Sequence, residues 1–259
     1  MEYQNIILEH DDRVAIIRLN APEVLNALSS DMVQELSHAV GKVTRSDARC
    51  LLMTGEGRAF CAGANLSAGG GAEDLPPAGT VLETHYHPVM TKLRNMEIPM
   101  VTAVNGPAVG VGMSFAVMAD FVIASKSAYF LQAFANIGLV PDGGATWLLP
   151  RLIGWGRAVE LSLLAERLPA EQAHDWGLVN RVVQNEELMP SALEIAHRLA
   201  NGPMSLGLIR KAYWESFSNS YAEQFQLEAN LQMVASASED NREGVQAFLE
   251  KRKPQFKGK

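Results

Sequence analysis

The sequence contains few cysteines and no long apolar run, and both absences narrow the range of possible proteins. Two cysteines in 259 residues cannot form the disulfide framework of a secreted scaffold. No apolar run reaches the roughly 18 residues that a membrane-spanning helix needs. The first residues also lack a basic segment followed by an apolar one, so no signal peptide is expected. These absences predict a cytoplasmic protein with no membrane partner.

Positive charge is also scarce. Lys and Arg number 22 against 29 Asp and Glu, which leaves a formal net charge of −7. Contacts to nucleic-acid phosphates need a basic surface, so no nucleic-acid partner is expected. A small polyanionic ligand is compatible with this charge because it needs only a local group of Lys or Arg.

Strand and helix patterns alternate over the first two thirds of the chain. Short apolar runs bounded by turn residues predict strands, and apolar residues at helical spacing predict helices. The predicted strands cover residues 6–8, 14–19, 51–54, 100–104, 121–124, 128–131 and 179–183, and the predicted helices cover about 30–45, 85–96 and 110–119. This alternation indicates an α/β fold.

The chain after residue 200 shows only helical patterns. Leu227, Leu231 and Val234 share one helix face, and Asp240 with Glu243 resembles a capping box before the last helix. We therefore expect a core over residues 1–199 and a helical oligomerisation region over 200–259. Residues 67–80 are rich in Gly, Pro and Ala, which predicts a mobile loop.

Two glycine-rich segments, residues 57–66 and 105–112, each follow a predicted strand. Glycine lets the backbone approach a ligand closely, and a helix N-terminus offers unpaired N–H groups. Two such segments could direct two N–H donors at one oxygen, which would form an oxyanion hole. Alternatively, the glycines serve only turns and close helix packing. Neither segment matches a phosphate-binding P-loop or a dinucleotide fingerprint.

A third segment places one carboxylate, Asp142, between Pro141 and the pair Gly143-Gly144. Its neighbours are apolar, and a carboxylate in apolar surroundings is costly unless it is paired or used. Such surroundings also raise the pKa of a carboxyl towards a value useful for proton transfer. The competing interpretation is an Asp that only forms a Pro-Asp-Gly turn.

The order and spacing of five motifs resemble the crotonase family of enoyl-CoA hydratases and isomerases over nearly the full chain. The motifs lie at residues 60–66, 99–112, 138–144, 168–179 and 243–252. The resemblance implies a spiral of ββα units with a C-terminal helical trimerisation region. It also implies a coenzyme A thioester as substrate, no permanently bound cofactor, and a homotrimer or a dimer of trimers.

The resemblance also implies roles for particular residues. The backbone N–H groups of Ala64 and Val111 would hold the thioester oxygen, so that the enolate is stabilised where charge develops. Ala62, Ala64, Phe248 and Lys251 would contact coenzyme A, the last two on a neighbouring subunit. Lys can offer a point charge to phosphate, and Phe can pack on the adenine. Phe248 could instead belong to the core face of the last helix.

The departures from the family pattern favour one reaction. Ser114 and Phe134 stand where the hydratases carry two glutamates, and neither side chain can exchange a proton with water as a carboxylate does. Asp142 remains as the single acid/base, which resembles the ring-1,2-epoxyphenylacetyl-CoA isomerase type within the family. An isomerase is therefore favoured over a hydratase.

Three other functions remain open from the sequence. Aryl-CoA dehalogenases of the family use an Asp in this loop as a nucleophile, and they need a separate base for which the sequence offers no match. A hydratase of low efficiency is a second alternative. A non-catalytic acyl-CoA or RNA binder is the third, and the acidic charge and the presence of Asp142 both disfavour it.

Several other reactive residues receive weaker interpretations. His85 and His87 lie in the predicted helix beside the glycine-rich loop, and one of them could reach the pocket. A metal site is not expected because residues two apart point away from each other. Cys61 has no accompanying base motif and is expected to be a small packed residue. Trp147 and Phe134 are expected to line the pocket or the core.

Overall fold

A computed structural model describes residues 2–66 and 77–259. The strands in these residues are β1 Ile6–Asp11, β2 Val14–Leu19, β3 Cys50–Gly55, β4 Met100–Val104, β5 Ala108–Val109, β6 Phe121–Ser125, β7 Tyr129–Leu131, β8 Leu168–Pro169 and β9 Arg181–Val183. The α-helices are α1 Ser30–Val43, α2 Ala78–Val81, α3 His87–Arg94, α4 Val111–Val117, α5 Ala145–Ile153, α6 Trp155–Leu164, α7 Ala170–Asp175, α8 Leu188–Ala200, α9 Ser205–Ser216, α10 Tyr221–Ser236 and α11 Glu239–Glu250.

Six strands form one sheet in the order β1-β2-β3-β4-β6-β9. β1 and β2 pair antiparallel, and every other neighbouring pair is parallel. All residues of β3 and β4 are buried, as expected for parallel strands covered on both faces. The α/β prediction and the predicted strands of this sheet are thus confirmed.

A second, three-stranded sheet consists of β5, β7 and β8. β5 pairs with β7 in parallel and β8 pairs with β7 antiparallel. β5 and β8 have only two residues each, too few to show a period in the sequence. The sequence prediction missed both strands, since none of its predicted strands covers residues 108–109 or 168–169.

The helix predicted at 85–96 begins differently in the structure. A π-helical turn, Leu82–Tyr86, leads into α3, which covers His87–Arg94. Residues 67–76 of the predicted mobile loop lie outside the described residues, and the loop prediction was wrong for Ala78–Val81, which is helical. π-turns cannot be read from apolar periodicity, and they are frequent at functional sites.

The predicted capping box of the last helix was wrong. Ser238 is the N-cap of α11, and its side chain accepts a hydrogen bond from the N–H of Asn241. The buried Asp240 carboxylate instead accepts hydrogen bonds from the backbone N–H groups of Met204, Lys257 and Gly258. It therefore attaches the chain terminus to the start of α9, a role that depends on residues distant in sequence.

The buried side chain of Arg210 joins helix α9 to the core. Its Nε lies 2.8 Å from a carboxylate oxygen of Asp120. The same guanidinium donates to the backbone carbonyls of Leu93, Arg94 and Met96 at the end of α3.

Within 2–66 and 77–259, no helix has both the length and the hydropathy needed to cross a membrane.

Candidate active site

The two glycine-rich segments lie side by side. The N–H of Val109 donates to the carbonyl of Cys61 (2.9 Å), and the N–H of Cys61 donates to the carbonyl of Pro107 (3.0 Å). A Cβ atom at Gly112 would lie 2.5 Å from the Cys61 carbonyl oxygen, which no real side chain tolerates. The glycine therefore lets the first turn of α4 approach the first segment.

This arrangement leaves two backbone N–H groups without acceptors. The N–H of Leu28 donates to the Gly63 carbonyl (2.7 Å), and the N–H of Asn65 donates to the Leu28 carbonyl (3.0 Å). The N–H of Ala64, which lies between these two bonds, takes part in neither. Val111 is the first residue of α4, after Gly110 with φ 54°. Among the described residues neither the Ala64 nor the Val111 N–H has a hydrogen-bond partner, so both remain available to a ligand oxygen.

Asp142 lies in a tight turn before helix α5. Its carbonyl accepts one hydrogen bond from the Ala145 N–H (3.0 Å) and one from the Ser114 hydroxyl (3.0 Å). Gly143 and Gly144 have φ values of 61° and 80°, a region that side chains rarely adopt. Asp142 does form a turn, as the competing interpretation held, but the turn also directs its side chain inward.

The carboxyl of Asp142 is in an unusual environment. Its Oδ1 atom is buried and has no hydrogen-bond partner within the part of the chain that the structure describes. Burial raises the pKa of Asp142 to about 6, and His87 opposes that rise. A raised pKa is the direction expected from the apolar residues on either side of Asp142. A carboxyl with this pKa can both accept and release a proton near neutral pH.

Helix α3 and the π-turn before it contribute Met90 and Tyr86, which the sequence did not identify, and His87, one of the two histidines that were expected to be able to reach the pocket. His87 interacts electrostatically with Asp142. The pKa of the Tyr86 hydroxyl is raised mainly by burial, and Cys61 and Asp142 add to the rise. Met90, three residues after His87, has its Cε 3.0 Å from the position of a Cβ on Gly143. The i, i+3 spacing of His87 and Met90 was the available signal.

His85 differs from His87, because its ring nitrogen pairs with the neighbouring Thr84 hydroxyl at 2.7 Å. No cluster of three or more potential metal ligands occurs in residues 2–66 or 77–259. Of the two histidines, only His87 is brought to the carboxyl of Asp142.

Ser114 and Phe134 both border the candidate oxyanion hole. Ser114 is fully buried in α4, three residues after Val111. The ring of Phe134 is also buried, and it lies 3.6 Å from where a Cβ on Gly110 would be. The structure thus puts a hydroxyl and an aromatic ring beside the start of α4.

Two residues with weaker predictions are packed away from the chemistry. Cys61 is fully buried, and burial raises the pKa of its thiol to about 12, so it is not a thiolate nucleophile at neutral pH. Trp147 stacks on Trp214 with ring centroids 5.8 Å apart, and Phe217 meets it edge-on. Trp147 therefore belongs to the contact between α5 and α9.

The residues expected to contact coenzyme A lie in two separate places. Ala62 is beside the oxyanion segment, and its N–H donates to the Leu25 carbonyl at 3.0 Å. Phe248 and Lys251 lie at the end of α11, where Phe248 is 82% exposed and Lys251 is also exposed. Phe248 lines a surface groove of about 880 Å³ formed by α9–α11, and that groove includes none of the oxyanion residues.

The fold, the two free N–H groups and the buried carboxyl together match a known class of acyl-CoA enzymes. Residues 9–259 match the enoyl-CoA hydratase/isomerase family, and the chain belongs to that family. It is 44% identical to the 1,2-epoxyphenylacetyl-CoA isomerase of Escherichia coli K12 over 98% of both chains. It is 43% identical to a probable enoyl-CoA hydratase of Rhodobacter capsulatus over the full length of both chains.

A solved structure confirms the crotonase-like fold. An enoyl-CoA hydratase from Geobacillus kaustophilus superposes with a TM-score of 0.93 at 37% identity, over the whole of both chains. The relatives carry both hydratase and isomerase names, so the reaction of this chain has to be argued from its own residues.

Proposed function

We propose that this chain isomerises a double bond or a ring epoxide in a coenzyme A thioester, with Asp142 as the single acid/base. The observation that carries the proposal is one half-buried carboxyl, with a buried Oδ1 and a pKa of about 6, on a turn bonded to the helix whose first N–H is free. No permanently bound cofactor enters this chemistry.

For an enoyl substrate, the chemistry is a 1,3-proton shift. The Asp142 carboxylate removes a proton from the α carbon of a 3-enoyl thioester, and the negative charge moves onto the thioester oxygen. The N–H groups of Ala64 and Val111 donate to that oxygen, which stabilises the enolate. The Asp142 carboxylic acid then returns the proton to the γ carbon, and the double bond becomes conjugated with the thioester.

Hydration fits the site less well. Adding water across a double bond requires groups that orient the water and exchange protons with it. The Ser114 hydroxyl is bonded to the backbone of Asp142, and the Phe134 ring is apolar. Asp142 would then have to serve water and substrate alone, so a hydratase activity of this chain would be inefficient.

A direct assay separates the two activities. Purified protein is incubated with a 3-enoyl-CoA, and the conjugated thioester chromophore is followed by ultraviolet absorbance. We expect the absorbance of the conjugated thioester to rise when a 3-enoyl-CoA is the substrate and to persist when a 2-enoyl-CoA is the substrate. Rapid loss of the chromophore from the 2-enoyl-CoA, with no signal from the 3-enoyl-CoA, would identify a hydratase instead.

The position of His87 supports a second candidate, the hydrolytic dehalogenation of an aryl-CoA. In that reaction Asp142 would attack the ring carbon and expel halide, and a base would activate water to hydrolyse the resulting ester. His87 is a base whose charge acts on Asp142. Chloride release from a 4-chlorobenzoyl-CoA tests this candidate, and its absence would leave the isomerase alone.

Assembly and coenzyme A binding complete the proposal. A homotrimer, or a dimer of such trimers, would cover the exposed side chains of Tyr221 and Phe225 on α10 and of Leu249 on α11. Residues 200–259 would then be the oligomerisation region. Phe248 and Lys251 would contact the coenzyme A of a neighbouring subunit, while Ala62 and Ala64 contact it within the subunit. We place the protein in the cytoplasm.

A further inference from the structure

One hydrogen bond from a buried hydroxyl connects the two halves of the proposed active site. The Ser114 hydroxyl donates to the backbone carbonyl of Asp142 at 3.0 Å. Ser114 is fully buried and Asp142 is half-buried, so the hydroxyl side of this bond is shielded from water. Because the same carbonyl also accepts from the Ala145 N–H, both of its lone pairs are used and the direction of the turn is set.

The place of Ser114 on its helix gives this bond its importance. Ser114 lies three residues after Val111, so both are on one side of the first turn of α4. Val111 supplies the candidate oxyanion donor, while Asp142 supplies the acid/base. The Ser114 side chain therefore links the position of the Asp142 turn to that of the Val111 N–H.

Packing around Gly143 makes the same connection sterically. A Cβ on Gly143 would lie 2.8 Å from the Cβ of Ser114 and 3.0 Å from the Cε of Met90. The turn thus rests directly on α4 and α3, and little space is left for it to move towards either helix. The Ser114 bond prevents the opposite movement, away from α4.

We propose that Ser114 is a positioning residue, which holds the Asp142 turn against helix α4 and thereby keeps the carboxyl buried and aligned with the oxyanion donors. This inference rests on the proposed function and deepens it. Ser114 does not touch the substrate and exchanges no proton with it. Its contribution is to the geometry of Asp142, so its loss should alter catalysis much less than the loss of the carboxyl does.

The test compares Ser114→Ala with a matched variant, Thr102→Val. Thr102 is also fully buried, and its hydroxyl donates to the carbonyl of Ala116 in the same helix at 2.8 Å. Both substitutions remove one buried hydroxyl–carbonyl bond to or from α4, and only the first affects the Asp142 turn. A purely structural role would make the two variants alike in kcat.

Turnover of a 3-enoyl-CoA gives the first readout. Loss of one aligned hydrogen bond should lower kcat about 3- to 10-fold in Ser114→Ala, with KM changed less than twofold. Thr102→Val should keep kcat, and Ser114→Thr, which retains the hydroxyl, should recover most of it. Equal kcat values for Ser114→Ala, Thr102→Val and the unmodified protein would overturn the proposal.

The carboxyl pKa gives a readout that does not depend on turnover. It is measured by a ¹³C NMR titration of Asp142, with Asp142→Asn to assign the signal. His87 and Tyr86, and Cys61 beside Tyr86, are unchanged in Ser114→Ala, so a fall of the Asp142 pKa below about 6 would report a more hydrated turn. An unchanged pKa in this variant contradicts the proposal.

Two further variants distinguish a failure of this inference from a folding defect and from a failure of the proposed function. If Ser114→Ala does not fold, Ser114→Cys carries the same test, because a thiol is of similar shape but is a weak donor. If Asp142→Asn keeps its isomerase activity, the proposed function fails, and the NMR titration still decides whether Ser114 holds the turn.

Discussion

Helices α4 and α10 both carry large apolar side chains but have opposite environments. All seven residues of α4 are buried, and its neighbours are the oxyanion segment and the Asp142 turn. None of the 16 residues of α10 is buried, although Tyr221, Phe225, Met233 and Val234 are large and apolar. The contacts of α4 are complete within one chain, whereas those of α10 are not.

The two helices therefore constrain the sequence in different ways, α4 through close packing within the chain and α10 through exposed apolar surface. In α4, small residues such as Gly112 are required because other backbone lies against them. In α10, Tyr221 stacks on Phe225, but the large apolar residues stay exposed in the isolated chain, and removal of such surface from water favours association. We therefore expect substitutions in α4 and its contacts to change chemistry or folding, and those in α10 to change assembly.

The largest effect is expected at the turn that α4 supports. Asp142→Asn keeps the size of the side chain and removes the base, so kcat should fall by about 10²–10⁴-fold. Thioester binding, measured by calorimetry with a non-reactive acyl-CoA, should be largely preserved. Retention of most isomerase activity would return Asp142 to a turn-forming role only.

Close packing under α4 predicts the next effect. Gly112→Ala would place a Cβ 2.5 Å from the Cys61 carbonyl oxygen and 2.7 Å from its Sγ, and we expect a loss of about 3 kcal/mol in unfolding free energy. Gly156→Ala is the matched control, since a Cβ there meets nothing within 4 Å. Urea denaturation should show the control unchanged or slightly more stable.

Helix α10 should respond through assembly. Phe225 is 64% exposed in the isolated chain, and Phe225→Glu would bury a charge at the proposed subunit contact, which should weaken association at least tenfold. Sedimentation velocity at micromolar concentration should then show monomers. The control is Gln226→Glu, which adds the same charge one position along the helix. If both variants dissociate, the added net charge is responsible and not the loss of the Phe225 side chain from its face of α10.

The pKa of Asp142 predicts a pH-dependent stability difference. Folding raises this pKa from 3.8 to about 6, so the folded chain binds the proton more tightly. The resulting stability is fully present below about pH 4 and is lost as the pH rises through 6. Asp142→Asn should therefore be about 1–3 kcal/mol more stable than the unmodified chain at pH 8.

The same Asp142→Asn variant should show a much smaller stability gain at pH 4, because there the carboxyl is almost entirely neutral in the folded chain and only partly ionised in the unfolded one, whose pKa is 3.8. Urea titrations at the two pH values measure the difference. An equal effect at pH 4 and pH 8 would show that packing, and not ionisation, is responsible.

The smallest effect is expected at the end of α11. Lys251→Ala should raise KM for coenzyme A esters about 3- to 10-fold and leave kcat nearly unchanged, because an exposed charge contributes mainly to binding. Lys253→Ala, two residues away and also exposed, is the control. Steady-state kinetics with equal KM values for both variants would remove Lys251 from the coenzyme A site.

The sequence by itself determined the family, the α/β class and most of the strands. Five motifs in order indicate one fold, and buried parallel strands such as Met100–Val104 are apolar throughout, which is a local signal. Asp142 could also be named as a candidate from its own neighbours, whereas Ala64 and Val111 were named only through the resemblance to the family. The failed predictions were also local: Asp240 has the residue type of a cap, but its carboxylate binds the chain terminus.

Only the tertiary structure decided how these residues act together. It placed His87 near Asp142 through a π-turn that has no periodic signature, and it joined the Ser114 hydroxyl to a carbonyl 28 residues away. It also left Phe248 exposed rather than in the core. Burial, pKa and long-range hydrogen bonds depend on which segments meet in space, and that information is absent from the order of residues within any one segment.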